Sequence, residues 1–352
     1  MNSEIISALA QLEKERGIPQ AYMIDKIAQA LTAAYKRDKE GYTDNVFVEF
    51  RDGELQMFAK KEVVEDVFSP STEIALDAAR NLDDKAEPGD IVDVPIKTQA
   101  FGRIAAQTAK QVIIQGIREA ERGMIFDTFS SKEHELLTGT VLRIEPATGD
   151  MIVRLGSGAD RTDALLAAGE QNKGESYKEG DLIRVYVVEV HRSNRGPQVI
   201  VSRTHPGLVK RLFELEVPEI ENGTVEVKSI AREAGSRTKL AVYAADEDVD
   251  AVGACVGPKG GRVGAVVEEL HGEKMDIVVW SEDPAAFVAA ALSPSEVLSV
   301  TVLPEGGKAC RVIVPDDQLS LAIGKEGQNA RLAARLTGYK IDIKPASQAE
   351  AE

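Results

Sequence analysis

The stretch Val256-Gly257-Pro258-Lys259-Gly260-Gly261-Arg262 decides the fold, because Ile323-Gly324-Lys325-Glu326-Gly327-Gln328-Asn329-Ala330-Arg331 repeats it. Both glycines of the GxxG motif are offset by 67 positions, from 257 to 324 and from 260 to 327. Further on, Leu270-His271-Gly272 matches Leu336-Thr337-Gly338 with an offset of 66, which one deleted residue explains. An internal repeat of this length predicts two copies of one structural module.

The surroundings of the two motifs also repeat. Two strand-like runs precede each motif, at 223–231 and 239–244 and again at 297–303 and 309–314. Each motif lies between two helical stretches, and a last apolar run follows. The order helix, strand, strand, helix, GxxG, helix, strand predicts two tandem KH domains, at residues 204–281 and 282–345.

A GxxG turn suits close contact with a ligand backbone, because glycine lacks a Cβ and accepts positive φ. Amides at the start of the following helix attract phosphate, and KH domains clamp about four nucleotides in this way. Lys259, Arg262, Lys325 and Arg331 are the candidate cations, while Gln328 and Asn329 either read base edges or cap the helix. The candidate RNA-binding residues are Gly257, Pro258, Lys259, Gly260, Gly261, Arg262, Gly324, Lys325, Glu326, Gly327, Gln328, Asn329 and Arg331.

A single GxxG motif also fits an ordinary loop without a binding function, so one copy would be weak evidence for RNA binding. Two copies in matching contexts favour binding of single-stranded RNA.

Residues 1–130 are predicted to form an α+β domain. Helical patterns cover 3–15 and 21–38, and a hairpin joins 46–50 to 55–59 through Asp52-Gly53. A short strand at 91–94 follows, and then a helix over 103–122 with Gly123 as its end signal.

Residues 135–203 are predicted to form an OB-fold β-barrel from short runs at 140–144, 151–155, 182–188 and 199–201. Its aromatic residues are Tyr177 and Tyr186, so it offers few platforms for base stacking. The arginines of this segment fit a solvated face or a phosphate track equally well: Arg143, Arg154, Arg184 and Arg192. The last segment, 346–352, is predicted to be a disordered tail. The predicted fold class is therefore multidomain α+β.

Charge limits how this chain can hold RNA. It has 352 residues and a formal net charge of −16, which argues against gripping nucleic acid by general positive charge. Binding must then rest on backbone amides and a few local cations. The amino end lacks the basic segment of a signal peptide, and no apolar run reaches membrane-spanning length, so we expect a cytoplasmic protein without a membrane partner. We also expect a monomer.

The sequence predicts no enzyme, metal site or cofactor. No GxxxxGK[ST] loop is present, because Gly306-Gly307-Lys308 lacks its first half. The four histidines do not have metal-ligand spacing, and both cysteines, Cys255 and Cys310, lie in apolar contexts typical of buried thiols. A phosphorolytic exoribonuclease also joins KH and S-one-type domains, but it would carry one KH domain before the barrel, after large catalytic domains.

The whole chain resembles the NusA family of bacterial transcription factors, over about residues 1–345. The resemblance lies in the domain order, in both GxxG stretches and in the helix Ile104-Ala105-Ala106-Gln107-Thr108-Ala109-Lys110-Gln111-Val112. It implies an S-one-type barrel and type II KH domains packed as one RNA surface. It also implies that the amino-terminal domain binds RNA polymerase core, and that pausing, intrinsic termination and antitermination are modulated by the nascent RNA that is held. Other antitermination factors are further expected partners.

One alternative stays open at this point. A translational or ribosome-associated RNA-binding protein shares the same KH chemistry. Only the amino-terminal domain separates it from a transcription factor.

Overall fold

The structure is a computed structural model, and it describes residues 7, 9–11, 13–14, 17–38, 45–51, 54–96, 101–193, 196–303 and 307–349. The chain divides into two compact units, Met1–Met124 and Ile125–Glu352. The division falls within one long helix.

The first unit packs helices on a small mixed sheet. In chain order its elements are α1 (Gln20–Asp38), β1 (Val46–Arg51), β2 (Glu54–Val64), β3 (Glu73–Ala75), α2 (Leu76–Arg80), β4 (Ile91–Pro95) and the start of α3 (Phe101–Ser130). Strand β2 pairs with β1 and β4 in antiparallel fashion and with β3 in parallel. The predicted α1, β1, β2 and β4 are confirmed, whereas β3 and α2 carry no clear sequence signal. Of the predicted helix at 3–15, residues 7, 9–11, 13 and 14 are helical, and the rest lies outside the described residues.

The core of this unit follows from helical periodicity. Met23, Ile27 and Leu31 of α1 lie on one stripe and are buried against Val46 and Val48 of β1. The predicted turn at Asp52-Gly53 lies outside the described residues.

Helix α3 runs beyond its predicted end. Gly123 was expected to end the helix, but this prediction is wrong, because the helix continues to Ser130. A glycine inside a helix costs only about 1 kcal/mol relative to alanine. Burial of Phe129 in the next core offsets that cost, with Phe126 packed against the same cluster.

The second unit begins with a closed barrel of five strands in the order β5-β6-β7-β9-β8. The strands are β5 (Leu136–Ile144), β6 (Met151–Leu155), β7 (Thr162–Leu166), β8 (Leu182–His191) and β9 (Gln198–Ser202). Closure comes from antiparallel pairing of β5 with β8, and the topology is that of an OB-fold. Strand β7 was not predicted, although its alternation buries Ala164 and Leu166.

Two modules of the same topology follow the barrel. The first contains α4 (Pro206–Glu216), α5 (Pro218–Glu221), β10 (Val225–Glu233), β11 (Arg237–Ala244), α6 (Ala251–Val256), α7 (Gly261–Glu269) and β12 (Lys274–Val279). The second contains α8 (Pro284–Ala291), β13 (Ser299–Leu303), β14 (Ala309–Val314), α9 (Leu319–Ile323), α10 (Gln328–Thr337) and β15 (Lys340–Pro345). In each sheet the first two strands are antiparallel and the last two parallel, so the predicted repeat is confirmed.

The three parts of this unit share hydrophobic cores. Tyr186 of the barrel is packed in the core of the first module, among residues of α4 and β11. Ala231, Ala241 and Val278 from the sheet of the first module are packed in the core of the second. The barrel and both modules are therefore joined by buried apolar surface and not merely by linkers.

A buried arginine strengthens the joint between the barrel and the first module. Arg203, fully buried at the end of β9, donates to Glu175 of the barrel at 2.7 Å from Nε. Its Nη1 donates to Glu269 at 3.1 Å and its Nη2 to the Glu269 carbonyl at 3.0 Å. Glu269 is the last residue of α7, so this ion pair holds the carboxyl end of the helix that begins at the first GxxG motif.

The carboxyl-terminal segment corrects one expectation. Residues 346–352 were predicted to be disordered, but Ala346–Ala349 form a short helix, α11. The backbone N–H of Ser347 donates to Asp316 at 3.0 Å, which supplies the cap that composition alone does not predict. Residues 350–352 lie outside the described part of the chain.

Within the described residues, no helix has both the length and the apolar character needed to cross a membrane.

Candidate nucleic-acid interface

Both GxxG loops are single tight turns between two helices. The first loop, Gly257–Gly260, connects α6 to α7, and the second loop, Gly324–Gly327, connects α9 to α10. In both, the helix that follows begins immediately after the last glycine. Its first N–H groups have no partner within the helix, and they carry the positive end of the helix dipole.

The two loops follow the same backbone path. The first glycines have φ of +73° and +78°, and the last glycines have +74° and +75°. The third positions, Lys259 and Glu326, are non-glycine residues at +54° and +55°. Three positive-φ residues in a four-residue turn are a demanding conformation, and finding it twice indicates one shared function for the backbone.

The glycines serve two different purposes. A Cβ on Gly260 or Gly327 would meet nothing within 4 Å, so these positions face open space where a ligand can approach. A Cβ on Gly257 would instead lie 2.6 Å from the Arg262 side chain, and one on Gly324 would lie 2.8 Å from the backbone nitrogen of Asn329. The first glycine of each motif is therefore favoured by packing as well as by its positive φ, whereas the last is favoured by its positive φ and leaves open space beside it.

Arg262 supports the first loop from inside. Its Nη1 donates to the Ala254 carbonyl at 2.6 Å and to Glu219 of α5 at 2.8 Å. The guanidinium is thus already paired with a carboxylate and a backbone oxygen. Of the two candidate cations in this loop, Lys259 is exposed, and Arg262 is partly buried and acts as a brace.

Asn329 occupies the equivalent place in the second loop. It is 3% exposed, and its Nδ2 donates to the carbonyls of Ala322 and Leu292, both at 3.0 Å. An amide buried in this way holds α9 and the end of α8 against α10. It therefore supports the loop, and base reading, one of the two predicted roles, is not available to it in this structure.

Gln328 and Arg331 connect the second loop to the first module. The Nε2 of Gln328 donates to Glu233 at 2.9 Å and to the Ser236 hydroxyl at 2.7 Å. Arg331 donates from Nε to Glu233 at 2.6 Å. Hydrogen bonding from Arg331, and then from Gln328, holds the pKa of Glu233 below its usual range. Sequence reasoning missed Glu233, because its partners lie almost one hundred positions further along the chain.

The remaining candidates are exposed: Pro258, Lys325 and Glu326 lie on the loops, and Gly261 is the first residue of α7. In each loop, the last glycine and the exposed middle residues are thus open to solvent, and Arg262 or Asn329 supports the loop from the other side.

Three family models match the chain in succession. They are described as the NusA N-terminal domain, matching residues 4–123, the NusA-like first KH domain, matching 203–280, and the NusA-like second KH domain, matching 284–351. A curated relative from Halalkalibacterium halodurans, named transcription termination/antitermination protein NusA, is 53% identical over 99% of this chain and 90% of its own length.

The chain belongs to the NusA family.

A second relative of the same name, from Bacillus subtilis, is 52% identical over 99% of this chain and 92% of its own length. Among solved structures, the solution structure of the N-terminal domain of NusA from Bacillus subtilis is 43% identical. It covers 35% of this chain and 99% of that one, with a TM-score of 0.30.

In this NusA family member, the four candidate arginines of the barrel are paired with acidic side chains. All four arginines that were candidates for a phosphate track lie within 4 Å of a carboxylate; the pairs are Arg143 with Glu145, Arg154 with Asp163, Arg184 with Glu269 and Arg192 with Asp127. Most of these pairs are exposed, so they contribute little to stability. They favour the solvated face over the phosphate track.

The two tyrosines of the barrel are packed against other side chains. Tyr186 is 6% exposed and stacks on His205 with 4.6 Å between ring centroids. Tyr177 lies beside Arg203 and Glu175, and burial raises its pKa. Tyr177 also lies edge-on to His271 of the first KH module, with 5.8 Å between ring centroids, so both tyrosines contribute to the joint between the barrel and that module.

The thiols are buried core residues. Burial raises the pKa of Cys255 to about 11 and also raises that of Cys310, which suppresses the reactive thiolate. Among the described residues, no three histidine, cysteine or acidic side chains are grouped to hold a metal ion.

Proposed function

We propose that this chain is a cytoplasmic, monomeric transcription factor without enzymatic activity, which binds RNA polymerase core and nascent single-stranded RNA. It modulates pausing, intrinsic termination and antitermination according to the RNA that it holds. The observation that carries the proposal is the duplicated GxxG turn, with the same left-handed backbone in two modules that share buried surface.

The proposed RNA site consists of the thirteen candidate residues in two classes. The residues that touch RNA are chiefly the exposed Pro258, Lys259 and Lys325, together with Gly260 and Gly327, which have open space beside them. Arg262 and Asn329 hold the turns in shape from behind. This division follows from burial: a side chain that is buried and hydrogen-bonded cannot exchange its partners for phosphate without cost.

The proposed layout assigns residues 1–130 to polymerase binding, 135–203 to the OB-fold domain, and 204–281 and 282–345 to the two KH domains. Tethering to polymerase would raise the effective concentration of the loops near emerging RNA, which suits a chain of net charge −16. Other antitermination factors are further proposed partners. Both relatives are named as transcription termination/antitermination proteins, so the ribosomal alternative is not carried further.

Transcription by purified RNA polymerase in vitro tests the proposal. We expect the full chain to change pause duration and terminator readthrough, and we expect the double variant Gly260→Asp/Gly327→Asp to lose the part of the effect that depends on RNA. A wild-type chain with no effect on either measure at saturating concentration would contradict the proposed function.

The polymerase contact is tested separately. Residues 1–124 contain their own hydrophobic clusters, so a fragment of residues 1–130 is expected to fold, which circular dichroism checks. We expect this fragment to retain RNA polymerase core in a pull-down. Retention by residues 125–352 alone would place the contact elsewhere.

A further inference from the structure

One carboxylate of the first KH module lies beside the loop of the second. Glu233 is the last residue of β10, and its charged partners within the described part of the chain, Arg331 and Arg335, lie on α10. Arg331 donates to it from Nε at 2.6 Å and from Nη2 at 3.3 Å. Arg335 Nη1 lies 3.9 Å from the same carboxylate. One acid therefore pairs with two arginines of the helix that begins at the second loop.

Arg331 and Arg335 lie near the position that a phosphate on the second loop would occupy. Arg331 Nη1 donates to the carbonyl of Glu326 at 3.2 Å, so its guanidinium touches the loop itself. The side chains of Arg331 and Arg335 are 44% and 56% exposed. A phosphate and the Glu233 carboxylate would compete for the same N–H groups, because each offers oxygens that accept hydrogen bonds from a guanidinium.

The joint between the modules does not depend on this carboxylate. Ala231, Ala241 and Val278 of the first sheet are buried in the second module's core. The buried Lys239 also donates to the carbonyl of Ser293 at 2.7 Å. Removing the charge of Glu233 would therefore leave the two modules joined and change chiefly the electrostatics of the second loop.

We propose that Glu233 is a specificity-determining residue that masks Arg331 and Arg335. The second loop then holds RNA through its own backbone amides and through contacts with the bases, and not through unselective attraction of phosphates to these arginines. The inference rests on the proposed RNA-binding function. An RNA phosphate must displace the Glu233 carboxylate before it gains a contact with either arginine. An RNA that is recognised through its bases does not depend on that contact.

The test compares wild-type chain with Glu233→Gln, which keeps the size of the side chain and an acceptor oxygen for Gln328. The probe is a pool of randomised single-stranded RNA of about 12 nucleotides, enough for two loops of about four nucleotides each. We expect the variant to bind the pool about 3- to 10-fold more tightly, by fluorescence anisotropy. We also expect log affinity to fall more steeply with log salt, by about 0.7, because one more phosphate contact is made.

Two controls separate masking from other effects. Glu296→Gln makes the same change in net charge at an exposed position between α8 and β13, and it should bind like wild type. In the background of Arg331→Ala, adding Glu233→Gln should tighten binding by less than about 2-fold, since the principal cation that it unmasks is gone.

The binding measurements on Glu233→Gln either support or overturn the masking role of Glu233. Tighter binding and a steeper salt slope that both depend on Arg331 support the mask. Equal binding by Glu233→Gln and wild type overturns it and leaves RNA binding intact, and weaker binding shows a positioning role instead. If neither protein binds the pool at low salt, the proposed RNA-binding function fails, and this inference fails with it.

Discussion

The first loop, residues 257–260, and the second loop, residues 324–327, share a backbone path but differ in the side chains placed on it. At the third position the first loop has Lys259 and the second has Glu326. Two residues beyond each loop, the brace is a half-buried arginine in one and a buried asparagine in the other. The shape of a KH loop is thus fixed by its glycines and its brace, and its charge is free to vary.

This difference assigns unequal roles to the two loops. The first loop presents an exposed cation next to a helix amino end, and both features attract phosphate. The second presents Lys325 beside Glu326, so the charges on the loop itself cancel, and the nearby Arg331 and Arg335 are paired with Glu233. We therefore expect the first loop to supply more of the electrostatic binding and the second more of the selectivity.

The largest expected effect comes from blocking both loops. Gly260→Asp combined with Gly327→Asp should weaken RNA binding at least about 100-fold, or about 2.7 kcal/mol, because a carboxylate would occupy the space where phosphate approaches. The fold should survive, since a Cβ at either position meets nothing within 4 Å, and the left-handed backbone at φ of +74° and +75° costs an aspartate only about 1 kcal/mol. Gly272→Asp is the matched control, because Gly272 has φ of +95°, open space and a place outside both loops. Unchanged affinity in the double variant would refute the KH interface.

The next effect sharpens the comparison of the braces. Asn329→Ala should lower the free energy of unfolding by about 2 kcal/mol, because two buried carbonyls lose their donor. Arg262→Ala should cost about 1 kcal/mol, because that side chain is partly solvated. Urea unfolding followed by the fluorescence of Trp280, the single tryptophan, reports on the KH pair directly. A larger loss for Arg262→Ala would reverse our ranking.

Reciprocal substitutions at the third position test the charge difference. Lys259→Glu should weaken RNA binding about 10-fold, and Glu326→Lys should strengthen it about 3-fold, by the attraction of one phosphate. Backbone strain is matched, because both positions already hold a non-glycine residue near φ of +55°. Affinity that moves in the same direction for both variants would show that strain, and not charge, governs the loops.

The smallest expected effect is in the salt dependence. For wild type we expect a modest slope, equivalent to about two to four phosphate contacts. Gly260→Asp alone should reduce the slope by about 0.7 more than Gly327→Asp alone, because Lys259 gives the first loop a net positive charge, whereas Lys325 and Glu326 cancel in the second. Equal reductions would mean that the loops contribute equal charge, and a steep wild-type slope would indicate a basic surface elsewhere.

Much of this architecture is readable from sequence, because it depends on local signals. The repeat around Gly257 and Gly324 predicts both modules, and the apolar spacing of Met23, Ile27 and Leu31 predicts α1. Strand β7 escapes prediction because its five residues, Thr162 to Leu166, include an aspartate and an alanine and resemble a loop.

The division of the candidate site into contact and support could not be read from sequence. Arg262 and Asn329 follow the GxxG motif just as a phosphate or base contact would, and only their burial and partners show that they brace it. Glu233 was missed for a related reason. Its role arises where two modules meet, and pairing between distant positions leaves no trace in one sequence.

The central claim is that RNA lies on the two loops together. Amide hydrogen exchange in the full chain, with and without a single-stranded RNA of about 12 nucleotides, tests it most directly. We predict slower exchange at residues 257–262 and at 324–329, with no change in the barrel strands. Protection confined to the barrel, with exchange at both loops unaltered by RNA, would contradict the account.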